Sequence, residues 1–256
     1  MENILSPSNR EVLAQIAWSN VLLAFDFDGT LAPIVVDRET ATIPAPIRTL
    51  LEELSLRYPC AIISGRSRDD VLKRVRGIQV WSVVGNHGLE PSEGAPGAVA
   101  EVQRWRRMLV RRLAGAPGIS VEDKVYSLAI HYRRCRKKRE VVKMIREAIR
   151  PLKDVRVIRG KAVVNLIPPD APHKGVALER LRAVLGCDTA LYLGDDETDE
   201  DVFALDQPGR LLGIRVGRNA RSAAGYYLKS QSEVAALLQV LLRFRSSSPN
   251  RRRLEG

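Results

Sequence analysis

VLLAFDFDGTL, residues 21–31, is the stretch on which the fold turns. Five apolar residues, Val21 to Phe25, form a short buried-strand pattern that runs directly into Asp26, Phe27, Asp28, Gly29 and Thr30. Side chains alternate along a strand, so Asp26 and Asp28 share one side while Phe27 takes the other. Two neighbouring carboxylates repel each other unless a cation neutralises them or one of them holds a proton. Both arrangements serve phosphoryl transfer. An ordinary Asp-rich turn would account for Asp28-Gly29 but not for two converging acids.

Outward from this stretch, the same grammar recurs. CAII precedes Ser64-Gly65-Arg66, SVVG precedes Asn86-His87-Gly88, and ALYLG precedes DDETDE at 195–200. Each apolar run stops at turn chemistry, as a strand buried on both faces does. Helical patterns lie between them at 45–58, 175–186 and 232–244. Strands alternating with helices predict an α/β fold with a Rossmann-like parallel sheet and its chemistry at the carboxyl ends of the strands. The middle of the chain differs. VEDKVYSLAIHYR at 121–133 alternates like a strand of an antiparallel sheet, REVVKMIREAIR at 139–150 has helical spacing, and VRVIRGKAVVNLIP at 155–168 suggests a hairpin turning at Arg159-Gly160. The expected organisation is therefore a core from 1–89 and 168–242, an inserted α+β domain at 90–167, and a basic disordered tail at 243–256, rich in Ser, Pro and Arg.

The run Asp195 to Asp201 holds six acids in seven positions, directly after an apolar strand. If a helix starts there, Asp195 and Asp199 share a face, as do Asp196 and Glu200. Acids also suit the positive end of a helix, which accounts for two of them. Oxygen donors without His or Cys point to Mg²⁺ rather than zinc, and one cation shared with Asp26 and Asp28 relieves the repulsion in both clusters. Ser64 at a strand end and Lys174 at the start of a helix are each capable of binding a phosphate oxygen.

Composition narrows the field. The 256 residues, 45% apolar and 28% charged, are those of an ordinary globular chain, long enough to bury its own core. Cys60, Cys135 and Cys187 lie far apart, which suits isolated thiols rather than a disulfide framework or a zinc cluster. The apolar runs are too short to span a membrane and the N-terminus lacks a secretory pattern, so a cytoplasmic protein is expected, acting as a monomer. Residues 101–160 carry 18 basic and 6 acidic side chains, so the chain's whole excess of +11 is concentrated there. Such a segment can be a nucleic-acid face, a collector of anionic substrate, or a solvated helix surface. Its densest run, RRCRKKRE at 133–140, has no interleaved aromatics to stack on bases, which argues against specific nucleic-acid binding.

The order Asp-x-Asp-Gly-Thr, strand-end Ser, Lys and Gly-Asp-Asp resembles the haloacid dehalogenase superfamily of phosphotransferases. ISGRS at 63–67, GNHGLE at 85–90, VEDKVYSLAIHYR, GKAVVN at 160–165 and YLGDDETDEDVF at 192–203 resemble the trehalose 6-phosphate phosphatases within it, over most of residues 20–240. The resemblance implies a sugar-phosphate substrate and an aspartyl-phosphate mechanism. In it Asp26 is the nucleophile, Asp28 the acid and base, and Thr30 a group that orients Asp28. It further implies Mg²⁺ on Asp26, the Asp28 carbonyl and Asp195, with Asp196 and Asp199 as outer or alternate ligands. Ser64 and Lys174 would hold the phosphate, and the inserted domain becomes a cap. Glu122, Lys124, Arg133 and Lys161 match cap residues that grip the distal glucose, with Arg66, Asn86, His87 and Glu90 as further contacts. One position departs from the pattern: where the family has Gly-Lys-x-x-x-Glu, this chain has Asn165, which keeps the hydrogen bonding and loses the charge. The alternatives are a capped phosphatase for a mannosyl- or sucrose-phosphate type of substrate and, from another class, a non-catalytic anion- or nucleic-acid-binding protein on the same scaffold.

Overall fold

A computed structural model describes residues 1–91, 96–160, 162–205 and 207–246. The first part of the chain gives β1 (Glu2–Asn3), α1 (Arg10–Trp18), β2 (Val21–Phe25), α2 (Ala45–Ser55), β3 (Cys60–Ile63), α3 (Arg68–Arg74) and β4 (Ser82–Val84). The middle gives α4 (Pro96–Arg112), β5 (Ser120–Asp123), β6 (Leu128–His131), α5 (Lys138–Ile149), β7 (Arg156–Gly160) and β8 (Val163–Ile167). The last part gives α6 (Lys174–Val184), β9 (Thr189–Gly194), α7 (Glu200–Phe203), β10 (Leu211–Val216), β11 (Tyr226–Leu228) and α8 (Val234–Ser246). The chain divides into two compact units, one of residues 1–88 and 173–256 and the other of residues 89–172. The second unit runs past the expected boundary at 167, through a turn closed by Ala171 N–H on the Pro168 carbonyl at 3.1 Å.

The first unit is built on a seven-stranded sheet in the order β1-β11-β10-β9-β2-β3-β4, and every pairing is parallel. Alternation sends β2 side chains to both faces. Leu23 and Phe25 pack with Leu13 of α1, Leu51 and Leu54 of α2, and Leu237 and Leu241 of α8. Leu22 and Ala24 pack on the other face with Leu178 of α6 and Phe203 of α7. Both faces are covered, which explains why the central strands are continuously apolar. From β2 the chain moves outward through β3 and β4 in one direction, and β9, β10 and β11 lie on the other side. β2 and β9 therefore flank the switch point, where open α/β sheets leave a crevice for ligands beyond the strand ends.

The second unit is a four-stranded antiparallel sheet, β5-β6-β8-β7. Leu128, Ile130, Val164 and Leu166 project from one face onto Val102, Trp105 and Leu109 of α4 and Val141 and Ile145 of α5. Two local expectations are corrected here. Residues 121–133 are not one strand: Asp123 is paired with Leu128, and the chain reverses between them. Asp123 Oδ1 accepts from the Val125 N–H at 2.8 Å and Val125 takes φ +70°, so local side-chain bonding competes successfully with strand continuation. The β7–β8 hairpin turns between Gly160 and Val163 rather than at Arg159-Gly160, because Arg159 and Gly160 are both paired with β8 and Ala162 supplies a positive φ of +64°.

The expected tail is corrected as well. Arg243 to Ser246 continue α8, fastened by the Arg245 guanidinium over the Tyr58 ring at 4.8 Å and by a bond from Arg57 to the Ser246 hydroxyl. The rest of the tail, 247–256, lies outside the described residues. Cys60, Cys135 and Cys187 are buried free thiols. Among the described residues no helix is long and apolar enough to cross a membrane.

Candidate active site

Three adjacent strands, β9, β2 and β3, end in the residues singled out above. Asp26 follows β2, and its N–H bonds the Leu193 carbonyl of β9 at 2.8 Å. The Asp195 cluster follows β9 itself. Ser64 follows β3, with its N–H on the Val84 carbonyl of β4 at 2.9 Å. Parallel register, not sequence proximity, brings these groups together.

Lys174 is the pivot. It opens α6, is only 1% exposed, and its Nζ donates to Asp26 Oδ1 at 2.9 Å and to Asp199 Oδ1 at 2.7 Å. Asp199 Oδ1 also accepts from the Tyr192 hydroxyl at 2.6 Å. Its Oδ2 accepts from the Asp195 and Asp196 N–H groups at 2.7 and 2.9 Å. These four bonds fill the acceptor positions of the carboxylate, so Asp199 anchors Lys174 and the 195–198 loop. No helix starts at Asp195, so the shared faces that one would give do not arise: α7 begins at Glu200, and Asp199 folds back to hold the preceding loop. Asp196 Oδ1 is engaged by the Thr198 N–H and hydroxyl at 2.8 and 2.7 Å.

Two glycines make room for the acids. A Cβ on Gly29, which has φ +90°, would lie 2.3 Å from Asp195 Oδ2, and a Cβ on Gly194 would lie 2.3 Å from Asp199 Cγ. The close approach of the β2 and β9 ends therefore depends on Gly29 and Gly194.

Charge is unbalanced. Burial pushes the Asp26 carboxyl well above its usual range; Lys174 pulls it back, while Asp199, Asp196 and Asp195 push it further up. Lys174 is also buried, yet Asp199 and Asp26 hold it firmly as an ammonium. The Asp196 carboxyl sits at about 2, because the Lys174 charge and the Thr198 bonds outweigh its burial. One ammonium thus faces several acids and cannot neutralise them all. Oxygens of Asp26, Asp195 and Asp199 lie within 4.8 Å of one another, and this all-oxygen set could hold a metal ion. Since the Asp199 oxygens are already filled, Asp26 and Asp195 are the two with capacity for direct coordination.

Asp28 belongs to a different neighbourhood. Arg66 grips it with two bonds, Nε to Oδ2 at 2.6 Å and Nη2 to Oδ1 at 2.8 Å. Arg66, expected among the substrate contacts, is instead buried and committed to protein acceptors. The Ser64 hydroxyl accepts from the Arg66 N–H at 3.1 Å, which leaves its own hydrogen to donate. Asn86 and His87 are buried in a tight turn at φ +51° and +60°, and the His87 ring lies against Gly65, where a Cβ would meet it at 2.4 Å. Thr30 is fully buried and its hydroxyl has no hydrogen-bond partner among the described residues, so the expectation that it orients Asp28 is corrected: the bonds to the Asp28 oxygens come from Arg66.

The remaining expected residues belong to the second unit. Glu122, Ala129 and Asn165 stand side by side across β5, β6 and β8, so their side chains share the face opposite the two helices. His131 Nε2 lies 2.7 Å from Glu122 Oε2. Lys124 and Asn165 are buried, Arg133 is half-buried, and Glu90 is half-buried near the start of the unit. Lys161 lies outside the described residues. Sequence reasoning missed Tyr192, Asp70 and His131. Tyr192 was detectable as a polar ring inside an apolar strand, since a buried tyrosine hydroxyl requires a partner.

Residues 24–232 match the family described as Trehalose-phosphatase. Probable trehalose-phosphate phosphatase 4 of Oryza sativa subsp. japonica is 31% identical over 258 residues, covering 93% of this chain and 70% of the rice protein. The trehalose-phosphate phosphatase of Mycolicibacterium paratuberculosis is 36% identical over 208 residues, 75% of this chain and 53% of that protein. Among solved structures, the C-terminal domain of Candida albicans trehalose-6-phosphate phosphatase superposes with a TM-score of 0.78 at 25% identity, covering 92% of this chain and 97% of that domain.

Proposed function

The chain belongs to the trehalose-phosphatase family, and from that membership we infer that it is a phosphatase that hydrolyses trehalose 6-phosphate to trehalose and phosphate. The observation that carries this reading is that the family match spans both acid clusters, which meet at the switch point of the sheet around one buried lysine.

In the proposed reaction, a carboxylate oxygen of Asp26 attacks phosphorus and the bond from phosphorus to the sugar oxygen breaks. Asp28 donates the proton that the departing sugar oxygen takes up. Asp28, now a carboxylate, removes a proton from water, whose oxygen attacks the aspartyl phosphate and releases inorganic phosphate and free Asp26. Lys174 and the Ser64 hydroxyl bind the non-bridging phosphate oxygens, where charge must be stabilised while the bonds exchange. Asp26 and Asp195 with the Asp28 carbonyl would hold Mg²⁺, with Asp196 and Asp199 behind them, and the ion supplies the positive charge that lets one anion approach another. Burial drives Asp26 toward its neutral form, so an ionised nucleophile depends on the cations around it.

The second unit acts as a cap whose polar row reads the sugar. Glu122, Lys124, Arg133, Lys161 and Asn165 supply acceptors and donors for glucose hydroxyls, His131 orients Glu122, and the basic surplus of the segment suits an anionic substrate.

Rapid quenching during turnover tests the covalent route. Mass spectrometry should find a phosphoryl group on the peptide containing Asp26 in the native enzyme, and Asp26→Asn should remain folded with no phosphate release. Normal turnover by that variant would remove Asp26 from the mechanism.

A further inference from the structure

Arg66 makes a network that phosphate binding does not require. Besides its two bonds to Asp28, Nη1 donates to Asp70 Oδ2 at 2.7 Å and Nη2 to the Arg38 carbonyl at 2.9 Å. Four of its five N–H groups have partners within the chain. The guanidinium also lies 5.4 Å over the Phe27 ring, and the side chain is 1% exposed. Asp70 in turn accepts from Arg74 Nε at 3.0 Å, and Arg74 reaches the carbonyls of Glu39 and Ala41 at 3.1 and 2.6 Å. The spacing of 66, 70 and 74 places these charges one helical turn apart, along α3 and the residues leading into it.

The line of charges runs Arg74, Asp70, Arg66, Asp28, alternating in sign, and its last member is the only one required to move protons. Asp28 is 40% exposed at its side chain, the most open of these four groups. An exposed carboxylate left to itself samples several rotamers. A planar fork bonded to both of its oxygens fixes the plane of the carboxyl as well as its position, which a single ammonium cannot do. Each Asp28 oxygen keeps one further acceptor position, so the fork leaves a path for a proton.

We propose that Arg66 is the positioning residue for Asp28: its fork aims the carboxyl at the departing sugar oxygen, and Asp70, backed by Arg74, holds the fork in place. The proposal rests on the reading of Asp28 as the proton-transfer group. A sugar alkoxide needs that proton and a nitrophenolate does not, so a misaimed Asp28 harms the two substrates unequally.

The test compares kcat/KM for trehalose 6-phosphate and p-nitrophenyl phosphate in the native enzyme, Asp28→Asn, Arg66→Lys, Arg66→Met and Asp70→Asn, each checked for folding by its thermal transition. This ratio excludes the later hydrolysis of the aspartyl phosphate, whose demand on Asp28 is common to both substrates. Arg66→Met should lose on the order of 10²-fold with the sugar phosphate, the scale of a misplaced reacting group. Arg66→Lys, which keeps the charge without the fork, should lose about tenfold. Asp70→Asn should shift in the same direction by less, and in the Arg66 and Asp70 variants the aryl phosphate should change by less than about threefold. Folded Arg66 variants that lose both substrates equally, or neither, overturn the proposal. If Arg66→Met fails to fold, the Lys variant decides on the same criterion. Should Asp28→Asn itself show no contrast between substrates, the acid role of Asp28 fails, and that outcome is distinguishable from failure of the positioning role.

Discussion

At the scale of single residues, the proposed reading of the sugar is tested at Asn165. It is 6% exposed and stands in one row with Glu122, two strands away, which by strand spacing is about 10 Å. A carboxylate here would accept from a sugar hydroxyl with charge assistance, roughly doubling the strength of that bond, and its repulsion with Glu122 at that separation is small. Asn165→Glu should therefore raise kcat/KM for trehalose 6-phosphate by about five- to tenfold, equivalent to roughly 1 kcal/mol, and leave a small aryl phosphate unchanged. Steady-state kinetics with the two substrates checks this, and an equal response from both would detach position 165 from the sugar. The acids themselves were legible in the sequence because strand-end carboxylates in such numbers have few structural uses. Asp199 was legible as an acid but not as the anchor of Lys174, since that depends on a loop folding back after Gly194. Arg66 illustrates the same limit: its position after Ser64 pointed to the site, but its partners Asp28 and Asp70 emerge only when β2, β3 and α3 are packed together.

At the scale of elements, uninterrupted apolar runs mark β2, β3, β4 and β9 in the sequence, and no such run marks β10. In LLGIRV, Gly213 and Arg215 break the apolar pattern, yet Arg215 is buried so that it can bond the carbonyls of Asp195 and Asp196 and the Glu200 carboxylate. The acidic loop after β9 thus imposes a charge on a neighbouring strand. In the second unit local turn bonding at Asp123 divided what alternation suggested was one strand. Helix α3 holds Asp70 between Arg66 and Arg74, and although burial raises its carboxyl, the bonds from Arg74 and Arg66 prevail and hold it below the usual range. A carboxyl lowered in the folded state stabilises the protein above the unfolded carboxylate range near 3.9, and the benefit is lost as pH falls through the folded value. Asp70→Asn should therefore destabilise the fold by about 2 kcal/mol at neutral pH, the scale of a hydrogen bond to a charged group. The deficit should shrink on acidification below about pH 4. Urea midpoints measured across that range check the sign, and a deficit independent of pH would contradict the ion-pair account.

At the scale of the whole molecule, the division of labour is between a parallel α/β unit that gathers acids at its switch point and an antiparallel unit that carries the basic excess and the polar row. The two-unit plan was visible as a change from helix-spaced β/α alternation to antiparallel patterning; the exact boundary depended on turn bonds around Pro168 that have no sequence signature. Because one ammonium faces several buried acids, activity should require Mg²⁺ and vanish with excess chelator. Ca²⁺ should inhibit through its larger, looser coordination. Full turnover in excess EDTA would contradict the metal assignment. The central claim, that the enzyme is built for trehalose 6-phosphate, is tested most directly by phosphate release at limiting substrate from trehalose 6-phosphate, sucrose 6-phosphate, mannosyl-3-phosphoglycerate and glucose 6-phosphate in the presence of Mg²⁺. The account predicts a kcat/KM for trehalose 6-phosphate at least about 10²-fold above the others, the discrimination that a site of paired hydroxyl contacts can supply; comparable or higher efficiency with any of the other three would contradict it.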